Sequence, residues 1–193
     1  WVNLFLTNMR LLVMVKQENK MKSTKIKIGI LGGTFDPAHK GHLEISKQAK
    51  KKFGLKNIVW AITKQNPFKD ISESNLKSRT QFAKKLIGKN HFIKVKFYED
   101  RIGSNRTIDL IKHLNKDKKF EIYFIMGADN LINFHKWYKW KSIISGCNIL
   151  VFDRQGYKAK SLKSVTFNSA NKKNLTYISF NKVNISSSQL RKI

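Results

Sequence analysis

This sequence predicts an α/β fold: a mainly parallel sheet with helices on both faces. Three observations carry that expectation. Short runs of β-branched and aromatic residues alternate with segments whose apolar residues recur at helical spacing, the pattern of repeated strand–helix–strand units. The first apolar run ends at Gly32-Gly33 and gives way at once to a helical segment, as a buried strand of a parallel sheet does. The 193 residues, 41% hydrophobic and 11% aromatic, can close one core, which excludes a disordered, collagen-like or disulfide-stapled chain.

The elements run in order. Residues 26–31 (IKIGIL) form the first strand. Residues 42–53 place Leu43, Ile45, Ala49 and Phe53 at near-helical spacing and stop at Gly54. Residues 57–63 (NIVWAIT) give a second strand, followed by a loop containing Pro67. A helix over 78–87 turns Phe82, Ala83, Leu86 and Ile87 inward, with Arg79 on its face, either solvated or bridging loops, and no role assigned to it. Residues 91–97 make a third strand, and 107–114 a helix with Ile108, Ile111 and Leu114 on one side. Residues 121–126 (EIYFIM) and 148–152 (NILVF) supply the fourth and fifth strands. A late strand over 175–179 and a short helix from Ser186 finish the chain. The lysine-rich stretch 158–173 reads as an exposed connection.

Two domain-level expectations accompany these elements: an extension at 1–20 outside the fold, and a domain over 21–193. Residues 1–15 are mostly apolar, but Asn8 and Arg10 interrupt them, and a bilayer span needs about 20 apolar residues. No membrane partner is expected; a peripheral amphipathic anchor is the alternative. The segment beginning at Met21 reads like an ordinary start. The chain carries 39 Lys+Arg against 12 Asp+Glu, a formal charge of +27, yet only six of the cations are arginine. Scattered lysines beside abundant Asn and Ile fit an A+T-rich coding bias, so a nucleic-acid partner is not demanded. The positive field still draws phosphate-bearing small molecules. One cysteine, Cys147, permits neither an internal disulfide nor a cysteine-rich zinc cluster and suits a reducing cytoplasm.

The chemistry concentrates after the first strand, in Gly32-Gly33-Thr34-Phe35-Asp36-Pro37-Ala38-His39-Lys40-Gly41-His42. Ligands of open parallel sheets sit at the carboxyl ends of strands. Two glycines let the backbone turn and approach a ligand without a Cβ in the way. His39 and His42 stand where a helix begins, beside free N–H groups and a positive dipole end suited to phosphate. Imidazoles there can donate hydrogen bonds to phosphoryl oxygens as charge builds up. The segment is neither a GxxxxGK[ST] loop nor a GxGxxG fingerprint. A metal site on His39 and His42 lacks a third ligand nearby, so no protein-held metal is expected.

The segment GGTFDPAHKGH resembles the HxGH signature of the nucleotidyltransferase superfamily, and its longer form is similar to bacterial nicotinate-nucleotide adenylyltransferases. The resemblance continues in order through Ile125-Met126-Gly127-Ala128-Asp129, Phe134-His135-Lys136-Trp137-Tyr138 and Asn184-Ile185-Ser186-Ser187-Ser188-Gln189-Leu190-Arg191. It implies a Rossmann-like, nucleotidyltransferase-type fold. It also implies adenylyl transfer from ATP to nicotinate mononucleotide by direct in-line attack, with no covalent enzyme intermediate. The nucleophile is a phosphate oxygen already ionised at neutral pH, so catalysis reduces to alignment and charge neutralisation.

In that resemblance His42, His39 and Arg191 are the catalytic groups, His42 first. Gly32, Gly33, Thr34, His39, His42, Gly127, Asp129, Ile185, Ser186, Ser187, Ser188 and Arg191 bind ATP, with Phe35 packing on the sheet. Asp129 receives ribose hydroxyls, caps the next helix, or both. Thr107, Trp137, Tyr138 and Lys69 bind nicotinate mononucleotide: Trp137 by stacking, or else as core, and Tyr138 through its backbone N–H. Mg²⁺ enters with ATP, held more by phosphate and water than by protein. Two departures from the family pattern stand out. Arg106 occupies a position that is usually aromatic, free either to pair with a carboxylate or to point to solvent. Phe68 replaces a common histidine, for which Lys69 could substitute as a point charge. The nearest rivals are a pantetheine-phosphate adenylyltransferase or a cytidylyltransferase of the same superfamily; a non-catalytic nucleic-acid binder is more remote. Oligomerisation is compatible with all of them.

Overall fold

The computed structural model describes residues 25–66, 72–170 and 173–179. Six strands form one sheet: β1 (Ile26–Gly33), β2 (Asn57–Ile62), β3 (Ile93–Phe97), β4 (Phe120–Gly127), β5 (Asn148–Phe152) and β6 (Leu175–Ile178). Their order is β3-β2-β1-β4-β5-β6, every neighbouring pair parallel. The helices are α1 (Lys40–Phe53), α2 (Leu76–Ile87), α3 (Glu99–Ile102), α4 (Thr107–Leu114), α5 (Ala128–Asn133), α6 (Trp140–Gly146), α7 (Lys158–Leu162) and α8 (Val165–Ser169), with a 3-10 turn at Phe134–Lys136.

Strand alternation divides the core into two layers. Ile30, Val59, Phe124 and Ile149 face one side, where Ile108 and Ile111 of α4 and Ile143 of α6 meet them. Leu31, Trp60, Ile125 and Leu150 face the other, covered by Ala49 of α1 and Ala83 of α2. Helices on both faces of a parallel sheet are what the alternating pattern predicts. Gly54 ends α1 because it takes the left-handed conformation (φ 66°) and returns its N–H to the Lys50 carbonyl. Asn75 opens α2 by accepting the Ser78 N–H at 2.9 Å.

Two expectations need correcting. The stretch 158–173 is not a bare connection, because it contains α7 and α8. Ser161 and Thr166 are fully buried there, and the Ser164 hydroxyl caps α8 by accepting the Phe167 N–H. Five-residue helices are too short to show a period, and the lysines that face water hide their inward side. Phe82 is 48% exposed rather than inward. Arg79 and Ala83, one turn apart, take the buried face of α2, which leaves Phe82 on its flank. Of the two readings of Arg79, solvated or bridging loops, the buried guanidinium takes the second.

Going up β1 and β2 the chain moves to one side of the sheet, and from β4 onward it moves to the other. The crossover point therefore lies between β1 and β4, whose carboxyl ends are Gly33 and Gly127. A crevice outside those ends is the ligand position this topology creates.

Candidate active site

The turn leaving β1 is built to present the histidine pair. Phe35 has a positive φ of 51°, an uncommon state for a side chain of its size. That backbone drives its ring into the core, stacked 5.1 Å from Trp60 and 4.8 Å from the His42 ring. Trp60 donates its indole N–H to Ser46 at 2.8 Å, and the Ser46 hydroxyl donates to the His42 carbonyl at 2.8 Å. The first turn of α1 is thus tied to β2 through a buried serine. His39 is the N-cap of α1. The His39 and His42 rings lie 3.8 Å apart between centroids, so the structure brings together the two imidazoles that the sequence singles out.

The His42 ring has a defined tautomer. Its Nδ1 accepts the backbone N–H of His39 at 3.2 Å. A neutral imidazole that accepts at Nδ1 carries its proton on Nε2, which leaves Nε2–H as a donor. Helix α1 has no acidic residue in its first turn, so no side chain of that turn neutralises the positive end of its dipole.

Arg79 holds this region from beneath. Its Nη1 donates to the Thr34 carbonyl at 2.6 Å and the Thr63 carbonyl at 2.8 Å. Its Nη2 reaches the Lys64 carbonyl at 3.0 Å, and its Nε the Ser74 carbonyl at 2.9 Å. One guanidinium therefore gathers the ends of β1 and β2 and the approach to α2. Burial pulls its pKa below the ordinary arginine value, against the opposing charges of Asp36 and Glu99. Asp36 is itself buried and accepts the N–H groups of Glu73 and Ser74 at 2.7 and 3.3 Å. Glu99 accepts the Thr63 hydroxyl and the Lys64 N–H. Sequence spacing does not reveal this hub, since its acceptors lie 5 to 45 residues from Arg79.

At the end of β4, Gly127 is the N-cap of α5, and Asp129 sits in that helix's first turn. The missing Cβ of Gly127 makes room for Asp129 itself: a Cβ there would come within 2.4 Å of Asp129 Oδ1. Asp129 Oδ2 accepts Arg154 Nη1 at 2.8 Å in a mostly shielded ion pair. Arg154 is not among the site residues expected from sequence; it lies 25 residues away, on the loop after β5. The pair orients the carboxylate, and the oxygen facing Gly127 remains next to the strand end.

At the carboxyl ends of β1 and β4 lies a cleft of about 390 Å³, bounded by Gly32, Gly33, Met126, Thr107, Trp137 and Tyr138; Thr34, His39, His42, Gly127 and Asp129 are not in its lining. Two of the expected nucleotide-contacting glycines and three of the four expected acceptor-binding residues thus share one cavity. Trp137 meets the core and the cleft at once: its ring lies 4.9 Å from Phe134 and edge-on to Phe124 at 6.2 Å. Thr107 is the first residue of α4. Tyr138 is 51% exposed, and the Arg106 guanidinium stacks over its ring at 4.1 Å. Arg106 is exposed, as its solvent-facing reading has it, with the guanidinium lying over that ring, and it pairs with no protein carboxylate among the described residues. Lys69, Ile185, Ser186, Ser187, Ser188 and Arg191, and the extension 1–20, lie outside the described residues, as does Phe68.

Among the described residues no helix is long and apolar enough to cross a membrane. The model of the cytidylyltransferase-like family matches residues 30–193. A protein of Pelagibacter ubique (strain HTCC1062) named "probable nicotinate-nucleotide adenylyltransferase" is 78% identical over 180 residues, 93% of this chain and 100% of that one. A protein of the same name from Rhizobium meliloti (strain 1021) is 37% identical over 141 residues, 71% of this chain and 73% of its own. The fold resembles that of the Plasmodium falciparum nicotinic acid mononucleotide adenylyltransferase complexed with NaAD, with a TM-score of 0.69 at 20% identity, covering 86% of this chain and 82% of that one. A chain with this sheet order, this histidine turn and these relatives belongs to the cytidylyltransferase-like family, and within it to the nicotinate-nucleotide adenylyltransferases.

Proposed function

We propose that this enzyme transfers the adenylyl group of ATP to nicotinate mononucleotide, releasing pyrophosphate and forming nicotinate adenine dinucleotide for NAD biosynthesis. The observation that carries this reading is the juxtaposition at the β1–β4 crossover. The paired imidazoles open the helix that follows β1, and the glycines ending that strand line a cleft shared with an indole and a helix N-terminus.

A phosphate oxygen of the mononucleotide attacks the α-phosphorus of ATP in line with the departing pyrophosphate. One P–O bond forms as the other breaks, and no covalent enzyme intermediate intervenes. Because the nucleophile is already ionised, the protein's task is alignment plus neutralisation of charge on the equatorial oxygens. His42 serves this with its Nε2–H, held towards the donor role by the Nδ1 contact to His39. His39 adds a second imidazole 3.8 Å away, and the α1 N-terminus adds its dipole. Gly32, Gly33 and Thr34 bring backbone close to the nucleotide phosphates. Asp129, oriented by Arg154, accepts ribose hydroxyls. Ser186, Ser187, Ser188 and Arg191 take the β- and γ-phosphates, with Ile185 beside the adenine. A Mg²⁺ ion arriving with ATP would offset phosphate charge, held more by phosphate and water than by protein. Trp137 stacks on the pyridine ring, Thr107 and the Tyr138 N–H face its carboxylate, and Lys69 reaches a phosphate. The enzyme is placed in the cytoplasm, a reading supported by its lone thiol, Cys147, free and buried.

The test is pyrophosphate release from ATP with nicotinate mononucleotide, its amide and phosphopantetheine as alternative acceptors, and from CTP with a phosphorylated alcohol. Turnover is expected with ATP and the pyridine mononucleotides. Turnover confined to phosphopantetheine or to CTP would assign the chain to another branch of the superfamily.

A further inference from the structure

We infer that Arg106 is the specificity-determining residue of the acceptor cavity: its guanidinium, stacked on Tyr138, pairs with the carboxylate of the acceptor's ring and discriminates against an uncharged amide. The inference rests on the reading that this cavity takes a pyridine mononucleotide, and it adds a residue that the family pattern does not supply.

The backbone of Arg106 is fixed on both sides. It is the N-cap of α4 in an extended conformation (φ −82°, ψ 130°). Its N–H donates to the Ser104 hydroxyl at 3.2 Å, and its carbonyl accepts Asp109 N at 3.0 Å and Leu110 N at 3.3 Å. Among the described residues the side chain's partner is the Tyr138 ring, stacked at 4.1 Å. Stacking of this kind holds a guanidinium plane without consuming any of its five N–H donors. The nearby acids are otherwise engaged: Asp109 Oδ2 accepts the Ser104 hydroxyl at 2.7 Å, and Glu99 accepts from Thr63 and Lys64.

Two further donors stand beside the stacked pair. Among the described residues the backbone N–H of Thr107, the chain neighbour of Arg106, has no protein acceptor, and neither does that of Tyr138. Arg106, Thr107 and Tyr138 all border the same cavity. These three residues therefore offer the cleft donors and positive charge. A carboxylate, which only accepts, can satisfy such a set with two oxygens. A carboxamide brings one oxygen and an NH₂ that meets donors with a donor, and it has no charge for the guanidinium to pair with. Two lysines are possible competitors for the role, because Lys136 borders the cavity and Lys139 Nζ lies 5.3 Å from the Tyr138 ring centroid. Neither has the planar fork that Arg106 presents.

The experiment compares kcat/KM for nicotinate mononucleotide and for nicotinamide mononucleotide in the unaltered enzyme, Arg106→Leu, Arg106→Lys and Lys136→Gln, with the KM for ATP measured in each. Losing one charge-assisted hydrogen bond corresponds to a factor of about ten to a hundred. Arg106→Leu is expected to lower kcat/KM for the acid by that factor, to change it for the amide by less than about threefold, and to leave the KM for ATP in place. Arg106→Lys keeps the charge and recovers part of the acid preference; Lys136→Gln leaves the preference as it was. An unchanged acid-to-amide ratio in Arg106→Leu, or a fall seen only in Lys136→Gln, would overturn the inference while the adenylyltransferase reading stands. An unaltered enzyme inert towards both mononucleotides would instead remove that reading, and this inference with it.

Discussion

Replacing Arg79 with methionine removes a guanidinium and keeps much of the aliphatic volume. In the native structure four hydrogen bonds of 2.6 to 3.0 Å run from this one group to carbonyls of Thr34, Thr63, Lys64 and Ser74. A hydrogen bond to a charged donor contributes about 1.5–3 kcal/mol. The four do not add, because they share one side chain and the freed loop carbonyls can turn towards water. Removing one partner of a buried charge network costs about 3–5 kcal/mol, and that range is the expectation for Arg79→Met. For a chain of this size about 1 kcal/mol moves Tm by roughly 2–4 °C, so Tm should fall by about 6–20 °C. Urea unfolding followed by tryptophan fluorescence, with Trp60 fully buried, reads the loss directly. Arg79→Lys should recover less than half of it, since one ammonium cannot span carbonyls at the ends of two strands and the start of a helix. A loss below about 1 kcal/mol in Arg79→Met would mean that the loops hold themselves and that the hub is incidental.

Two further outcomes are expected from the geometry. Trp137→Ala should raise the KM for nicotinate mononucleotide about tenfold or more through lost stacking, with the KM for ATP within about twofold; the reverse pattern would make the ring purely core. Burial pushes the Cys147 thiol from 9.0 up to about 12, so the folded protein keeps a proton that the unfolded chain loses. Stability from this group is therefore complete below pH 9 and declines between pH 9 and about 12, by about 1.4 kcal/mol per pH unit. Alkaline unfolding titrations of Cys147→Ala should be shallower by one proton in that window, and an identical slope would refute the assignment.

What the sequence reveals is local. The β1 turn is legible because Gly32, Gly33, His39 and His42 fall within eleven consecutive residues, and strand ends in parallel sheets have a fixed functional meaning. Helix α4 is legible at 107–114 because Ile108 and Ile111 recur on its inner face. What stays hidden is tertiary. Arg79 reads as a helix-face residue, solvated or bridging loops, and nothing in its neighbourhood decides between the two or shows that Thr34 and Thr63 bring their carbonyls to it. The Asp129–Arg154 pair joins the first turn of α5 to the loop after β5, whose proximity exists only once β4 and β5 align. The sequence suggests that Gly127 admits a ligand, and the structure adds a nearer reason for it: the Asp129 carboxylate already fills the space where a Cβ would stand. The contact between Arg106 and Tyr138 likewise joins the residue before α4 to the turn before α6, which no spacing rule connects.

The central claim is that the His42 imidazole acts on charge that appears only as the adenylyl group moves. The most direct measurement is the single-turnover rate of dinucleotide formation by His42→Ala, set beside the Kd for ATP obtained separately by calorimetry. Removing one preorganised donor from a developing anion costs about 10²–10³ in rate, so the rate should fall by that factor while the Kd for ATP moves by less than about threefold. A rate within about tenfold of the unaltered enzyme, or a loss of ATP affinity as large as the loss of rate, would contradict the account.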